Sequence, residues 1–127
     1  MIIVRATIKG EPDVPAITKF FEYGSADEEI FFSSAAMVEE KLRCEMKLNA
    51  NEALVLFCSY VVKSIRAGKK ESSIQNDGAK ILSAGNTMIG VPETLRSITF
   101  EARIDNLPAR KIILKEPVSA SKSLLAS

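Results

Sequence analysis

Met46–Lys69 reads MKLNANEALVLFCSYVVKSIRAGK, a stretch with its own start signal, two apolar stripes and its own stop. Asn49 is the expected N-cap, and Glu52 follows three residues later. The Asn amide oxygen can accept from the backbone N–H of the third helical residue while the Glu carboxylate reaches back to the cap. Ala53, Phe57, Tyr60, Val61, Ser64 and Ile65 then repeat at the spacing of one helical face, and Leu54 and Leu56 widen it. Val55, Cys58 and Val62 make a second apolar face. A helix apolar on most sides is a buried helix, so the rest of the chain is expected to pack around this one. Arg66-Ala67-Gly68-Lys69 ends it: Gly68 can take the left-handed conformation past the last turn, and the cations sit at the negative end of the helix dipole.

Upstream, Ile2, Val4, Ala6 and Ile8 alternate with Ile3, Arg5, Thr7 and Lys9, which predicts a half-buried strand. Gly10, Glu11 and Pro12 stop it. Within Asp13–Tyr23, Ile17, Phe20 and Phe21 fall at helical spacing after Pro15 and predict a short helix. Gly24 breaks that run, and Ser25 with Glu28 forms an S-x-x-E box ahead of a helix expected to reach about Glu45, with Phe31, Ala35, Val38 and Leu42 inward.

Downstream, Ser72 or Ser73 opens another helix in which Gly78 shares a face with Ile74, Ile81 and Leu82. A mid-helix glycine costs about 1 kcal/mol relative to alanine, which suggests close approach to a neighbouring helix. One helical turn is expected within Asn86–Pro92 before Gly90, with Pro92 excluding the α conformation at Val91. Ile98, Phe100, Ala102 and Ile104 alternate with polar residues, Asp105-Asn106-Leu107-Pro108 supplies turn chemistry, and a second run spans Arg110–Lys115. An isolated hairpin is marginal in water, and Ile2–Lys9 is predicted to join it as a third strand. Residues 118–127 are small and polar apart from Leu124 and Leu125, and a mobile tail is expected there.

The whole is predicted to be a single α+β domain, with 1–24 an N-terminal extension. At 127 residues and a formal net charge of +1 there is room for one core and no bias toward nucleic acid or an anionic membrane. Lys63, Arg66, Lys69 and Lys70 are the one local basic excess, read as a solvated helix end. No signal peptide or membrane-length apolar run occurs, so the cytoplasm is the expected compartment. Cys44 and Cys58 are read as buried thiols. The chain contains no histidine, which argues against an imidazole-based nucleophile system or a hydrolytic transition-metal site of its own.

FSSAAMVEEKLRCEMKLNANEAL, IRAGK and MIGVPETLRSITFEA together resemble the urease gamma subunit, with matching spacing from Phe32 to Ala102. The family motifs fall on MKLNANEA (Met46–Ala53), IRAGK (Ile65–Lys69), MIGVPE (Met88–Glu93) and ITFEA (Ile98–Ala102). The resemblance implies a helical bundle with a small antiparallel hairpin and an oligomeric complex with urease alpha and beta chains. It also implies hydrolysis of urea to ammonia and carbamate, with nickel held only by the alpha chain and no cofactor in this one. Departures from the pattern are Lys63-Ser64 for Glu-Gly, Arg96 for a usual Pro, the longer turn DNLPA, and Lys115 for a usual His.

No catalytic or metal-binding residue is assigned. The candidate interface or motif residues are Asn49, Glu52, Arg66, Gly68, Lys69, Gly90, Val91, Pro92 and Glu101, each with a plainer role as cap, helix-end charge, turn or strand-face carboxylate. Three readings follow: a non-catalytic structural subunit of a urease-like hydrolase, a stand-alone gamma-like binding protein that kept the fold without the partners, or an autonomous enzyme, which the missing histidines disfavour most.

Overall fold

Two hairpins lie side by side in one antiparallel sheet, and the helices cover one of its faces. The computed structural model describes residues 1–12 and 14–119. Strands β1 (Ile2–Lys9) and β2 (Ile17–Tyr23) form the first hairpin; β4 (Ser97–Ile104) and β5 (Arg110–Lys115) form the second. The order is β2-β1-β4-β5, so the predicted third strand pairs with the C-terminal hairpin as expected, from Ile2↔Ile104 to Lys9↔Ser97. Between the hairpins run α1 (Glu28–Arg43), α2 (Ala50–Arg66), α3 (Glu71–Gly78), the short strand β3 (Leu82–Ser83) and the single-turn helix α4 (Val91–Thr94). A last strand, β6 (Val118–Ser119), pairs parallel with β3. The rest of the expected tail, 120–127, lies outside the described residues.

Alternation decides the faces. Ile2, Val4, Ala6 and Ile8 of β1, Ile98, Phe100, Ala102 and Ile104 of β4, and Ile112 and Leu114 of β5 are buried in one core with α2. Helix α2 contributes Ala53, Leu54, Leu56, Phe57, Cys58, Val61, Val62 and Ile65 to that core, the near all-round burial its two stripes predict. Its capping box forms as read: Glu52 N–H donates to Asn49 Oδ1 at 2.8 Å, and Asn49 N–H donates to Glu52 Oε1 at 3.0 Å.

Several local expectations are overturned. Residues 17–23 are a strand, not a helix: Phe20, Phe21 and Tyr23 suit a pleated surface, and β1 offers an edge that satisfies their backbone in register from Ile2↔Tyr23 to Ile8↔Ile17. Ser25–Asp27 form a 3-10 turn, and α1 starts at Glu28 without the expected box, because the Glu28 carboxylate is engaged by Arg66 and the Met1 amino group instead. Helix α1 buries Phe31, Ala35 and Val38, leaves Leu42 half-buried and ends at Arg43, which leaves Cys44 exposed rather than buried. Helix α3 starts from Lys70 rather than a serine cap and ends at Gly78, so that glycine is terminal and Ile81 and Leu82 lie beyond the helix. The turn expected before Gly90 falls after it. Gly90 is the left-handed N-cap of α4, and Pro92 sits in the first turn, where a missing N–H costs nothing.

Candidate interface surfaces

The C-terminal end of α2 is the most heavily tied of the predicted sites. Lys69 N–H donates to Ser64 O at 3.1 Å and Gly68 N–H to Ile65 O at 3.0 Å, the doubly bonded helix stop that needs the φ of +73° at Gly68. Arg66 donates through Nε to Asp105 Oδ2 at 3.1 Å and through Nη2 to Asp105 Oδ1 at 2.9 Å, and it pairs with Glu28 at 2.8 Å. Its guanidinium also lies over the Phe32 ring, 5.9 Å from the centroid. One side chain thus joins α1, α2 and the β4–β5 turn. Arg66, and then the Met1 amino group, hold the Asp105 carboxyl down at about 2.

Lys69 has its ammonium over the Tyr60 ring, 6.0 Å from the centroid, and its carbonyl accepts from Arg110 Nη1 at 3.1 Å. Of the rest of the basic group, Lys63 faces Glu39 at 3.7 Å and lies 5.7 Å from the Phe32 ring centroid. Lys63, Arg66 and Lys69 therefore lie against carboxylates or rings of the same chain.

Asn49 and Glu52 belong to the opposite end of α2. Beyond the box, the Glu52 carboxylate also binds the Lys41 ammonium, and the Asn49 N–H and then Lys41 hold its pKa below the usual carboxylate range. This ties α1 to the start of α2. Nearby, Leu48 makes a parallel bridge to Thr87, with Met88 N–H donating to Leu48 O at 2.9 Å. The bridge presents Met88 and the fully exposed Ile89 just ahead of Gly90, while Val91 is buried and Pro92 half-buried.

Glu101 stands apart, on the outer face of the sheet. Arg5 lies directly opposite it across the β1–β4 ladder and donates through Nε at 3.1 Å and Nη2 at 2.5 Å. The nine predicted residues therefore occupy separate surfaces: the two ends of α2, the Gly90 turn and the far face of the sheet. They do not converge on one site.

Two concavities were not legible from sequence. One, of about 490 Å³, is lined by Glu39, Leu42, Ser59, Tyr60, Lys63 and Ile81 among others, and Ser59 Oγ is buried there with no hydrogen-bond partner among the described residues. The other, of about 380 Å³, lies on the outer sheet face beside Phe20, which is 73% exposed, with Arg5, Glu101 and Arg103. Reading 17–23 with period two instead of helical spacing would have put Thr18, Phe20 and Glu22 on that face. Among the described residues, no group of three or more His, Cys, Asp or Glu is placed to hold a metal ion, and no helix is long and apolar enough to cross a membrane. Burial pushes the Cys58 thiol well above its ordinary pKa, which makes it an inert core group.

Comparison with known proteins places these elements. The family described as "Urease, gamma subunit" matches residues 24–117, from the end of β2 to the residue before β6. A urease subunit gamma from Halalkalibacterium halodurans is 32% identical over 92 residues, 72% of this chain and 91% of that protein. Those of Paracoccus denitrificans and Cereibacter sphaeroides are 36% and 37% identical over 76 residues, 59% of this chain in both cases and 74% and 76% of the relatives. With all four α-helices, the Gly90 turn and the C-terminal hairpin inside the matched span, the chain belongs to the urease gamma-subunit family.

Proposed function

We propose that this chain is the non-catalytic, structural gamma subunit of a urease-like nickel amidohydrolase that hydrolyses urea to ammonia and carbamate, with alpha and beta chains as its partners in a cytoplasmic oligomer. The observation that carries the reading is the family match across residues 24–117. The donor set here does not suit nickel: the sequence has no histidine, and the carboxylates at Glu28, Glu52, Glu101 and Asp105 are each bound to a cation of the same chain. In this reading the nickel ions and the acid–base groups belong to the alpha chain, and this chain contributes buried surface. Residues 1–127 act as one domain, in which Met88 and Ile89 ahead of Gly90-Val91-Pro92 and the uncharged outer side of α1 (Ile30, Met37) are the apolar contacts offered to partners.

A second reading, a stand-alone gamma-like binding protein, is favoured by one observation. Arg96 and Glu101, at family-motif positions, are engaged by Glu11 and Arg5 of the chain's own first residues. Affinity purification of the native protein with subunit identification, and urease assay in parallel, separates the two. Copurification with larger urease chains, activity residing in the complex and none in this chain alone, is the expected result. Recovery as a free monomer or self-oligomer from cells that express those chains removes the subunit reading.

A further inference from the structure

Residues 1–23 precede the family match, yet they form half of the sheet. Strand β1 is central, flanked by β2 and β4, and every apolar residue on its inner face is buried: Ile2, Val4, Ala6 and Ile8 are at most 7% exposed. Without this segment β4 would show an open ladder of backbone N–H and C=O groups over its full length, beside an apolar row of Ile98, Phe100, Ala102 and Ile104. An edge of that length and apolarity is the template on which another strand pairs.

We propose that the β4 edge is a strand-receiving site, and that this chain fills it with its own first 23 residues, so that the family-matched body is completed in cis rather than by a strand of another polypeptide. The fit is specific. Sizes alternate across the ladder, with small Ala6 opposite large Phe100 and Val4 opposite Ala102. Charge fixes the register, since Arg5 meets Glu101. The connecting loop is docked as well: a Cβ on Gly10 would lie 2.8 Å from Thr94 O and 2.9 Å from Glu93 O, so that only glycine fits there against the end of α4. Glu11 reaches Arg96, the residue at a usual proline of the family, and Phe21 and Tyr23 close on the Phe31 ring at centroid distances of 6.0 and 5.2 Å. The ligand class is an extended antiparallel strand with small or β-branched apolar residues inward at alternate positions and a cation opposite Glu101. The inference rests on the sheet and holds whether or not urease chains are partners.

The test uses the full chain with a protease recognition sequence inserted after Gly24, where the backbone is extended and a side chain would meet nothing within 4 Å. After folding and cleavage, the 1–24 fragment should stay bound through gel filtration of a monomer. A fluorescent synthetic 1–24 peptide should exchange into the nicked protein only slowly, or after mild denaturation. A peptide carrying Arg5→Glu should bind several-fold more weakly, and a full chain carrying Glu101→Arg should recover most of that loss. Prompt loss of the fragment, leaving a soluble monomeric remainder with the same melting temperature as the intact chain, overturns the proposal. So does equal binding of the two peptides to both forms.

Discussion

At the scale of single residues, Gly78 shows how a packing role outlives a wrong placement. It ends α3 rather than sitting mid-helix, yet a Cβ there would stand 2.9 Å from Leu114 Cδ2 and 3.2 Å from Tyr60 Cε2, between α2 and β5. Gly78→Leu is expected to lower stability by about 1–3 kcal/mol in urea unfolding. Gly78→Ala should come out near neutral, because a helix-propensity gain of up to about 1 kcal/mol is set against that close contact. Asp105 is one of the residues through which pH acts. Its carboxyl is depressed from 3.8 to about 2 in the folded protein, so the folded state favours the ionised form. The stabilisation is complete above the unfolded value near pH 4 and disappears as pH falls toward 2. Thermal unfolding of the native protein and Asp105→Asn should therefore differ at neutral pH and converge near pH 2. Asparagine is the suitable replacement because φ at this position is +54°, a conformation it tolerates.

At the scale of elements, the two ends of α2 are held differently. Its start depends on the reciprocal Asn49–Glu52 box, so Asn49→Ala should cost about 1 kcal/mol by chemical denaturation. Glu52→Gln should weaken the α1–α2 tie as well, since Lys41 loses its carboxylate. Helix α4 depends on Gly90, whose φ of +92° disfavours any side chain although nothing within 4 Å would obstruct a Cβ. Gly90→Ala should thus destabilise by about 1–2 kcal/mol for backbone reasons alone, with the melting temperature as the measure. The capping box and the α2 stop were legible because both lie within a few residues of sequence. The first strand of the second hairpin was legible from its period of two. Strand β2 was not, because three apolar residues at helical spacing also satisfy a strand once an edge is available, and that edge belongs to β1.

At the scale of the whole molecule, the sheet sets the order of protection. Strand β1 is paired on both sides and its inner face is buried, so the amides of Ile3–Ile8 should exchange as slowly as those of β4, while β2, an edge strand, should exchange faster. Amide exchange followed by mass spectrometry checks this; unprotected β1 amides would contradict the fold. The sequence by itself determined the buried helix, its caps, the C-terminal hairpin, the joining third strand and the family, because periodicity, capping chemistry and motif spacing are local properties of the chain. Tertiary structure alone decided that residues 17–23 fold back on β1 as a strand, that Glu28 turns to Arg66 instead of capping its own helix, and that Glu101 is claimed by Arg5. Each of these is a contest between a local arrangement and a more distant partner, 9 to 21 residues away for β2 and 38 and 96 residues away for the two carboxylates. Short-range spacing cannot rank such contests, because the winner is set by which distant carboxylate, guanidinium or open strand edge the packed core brings within hydrogen-bond reach.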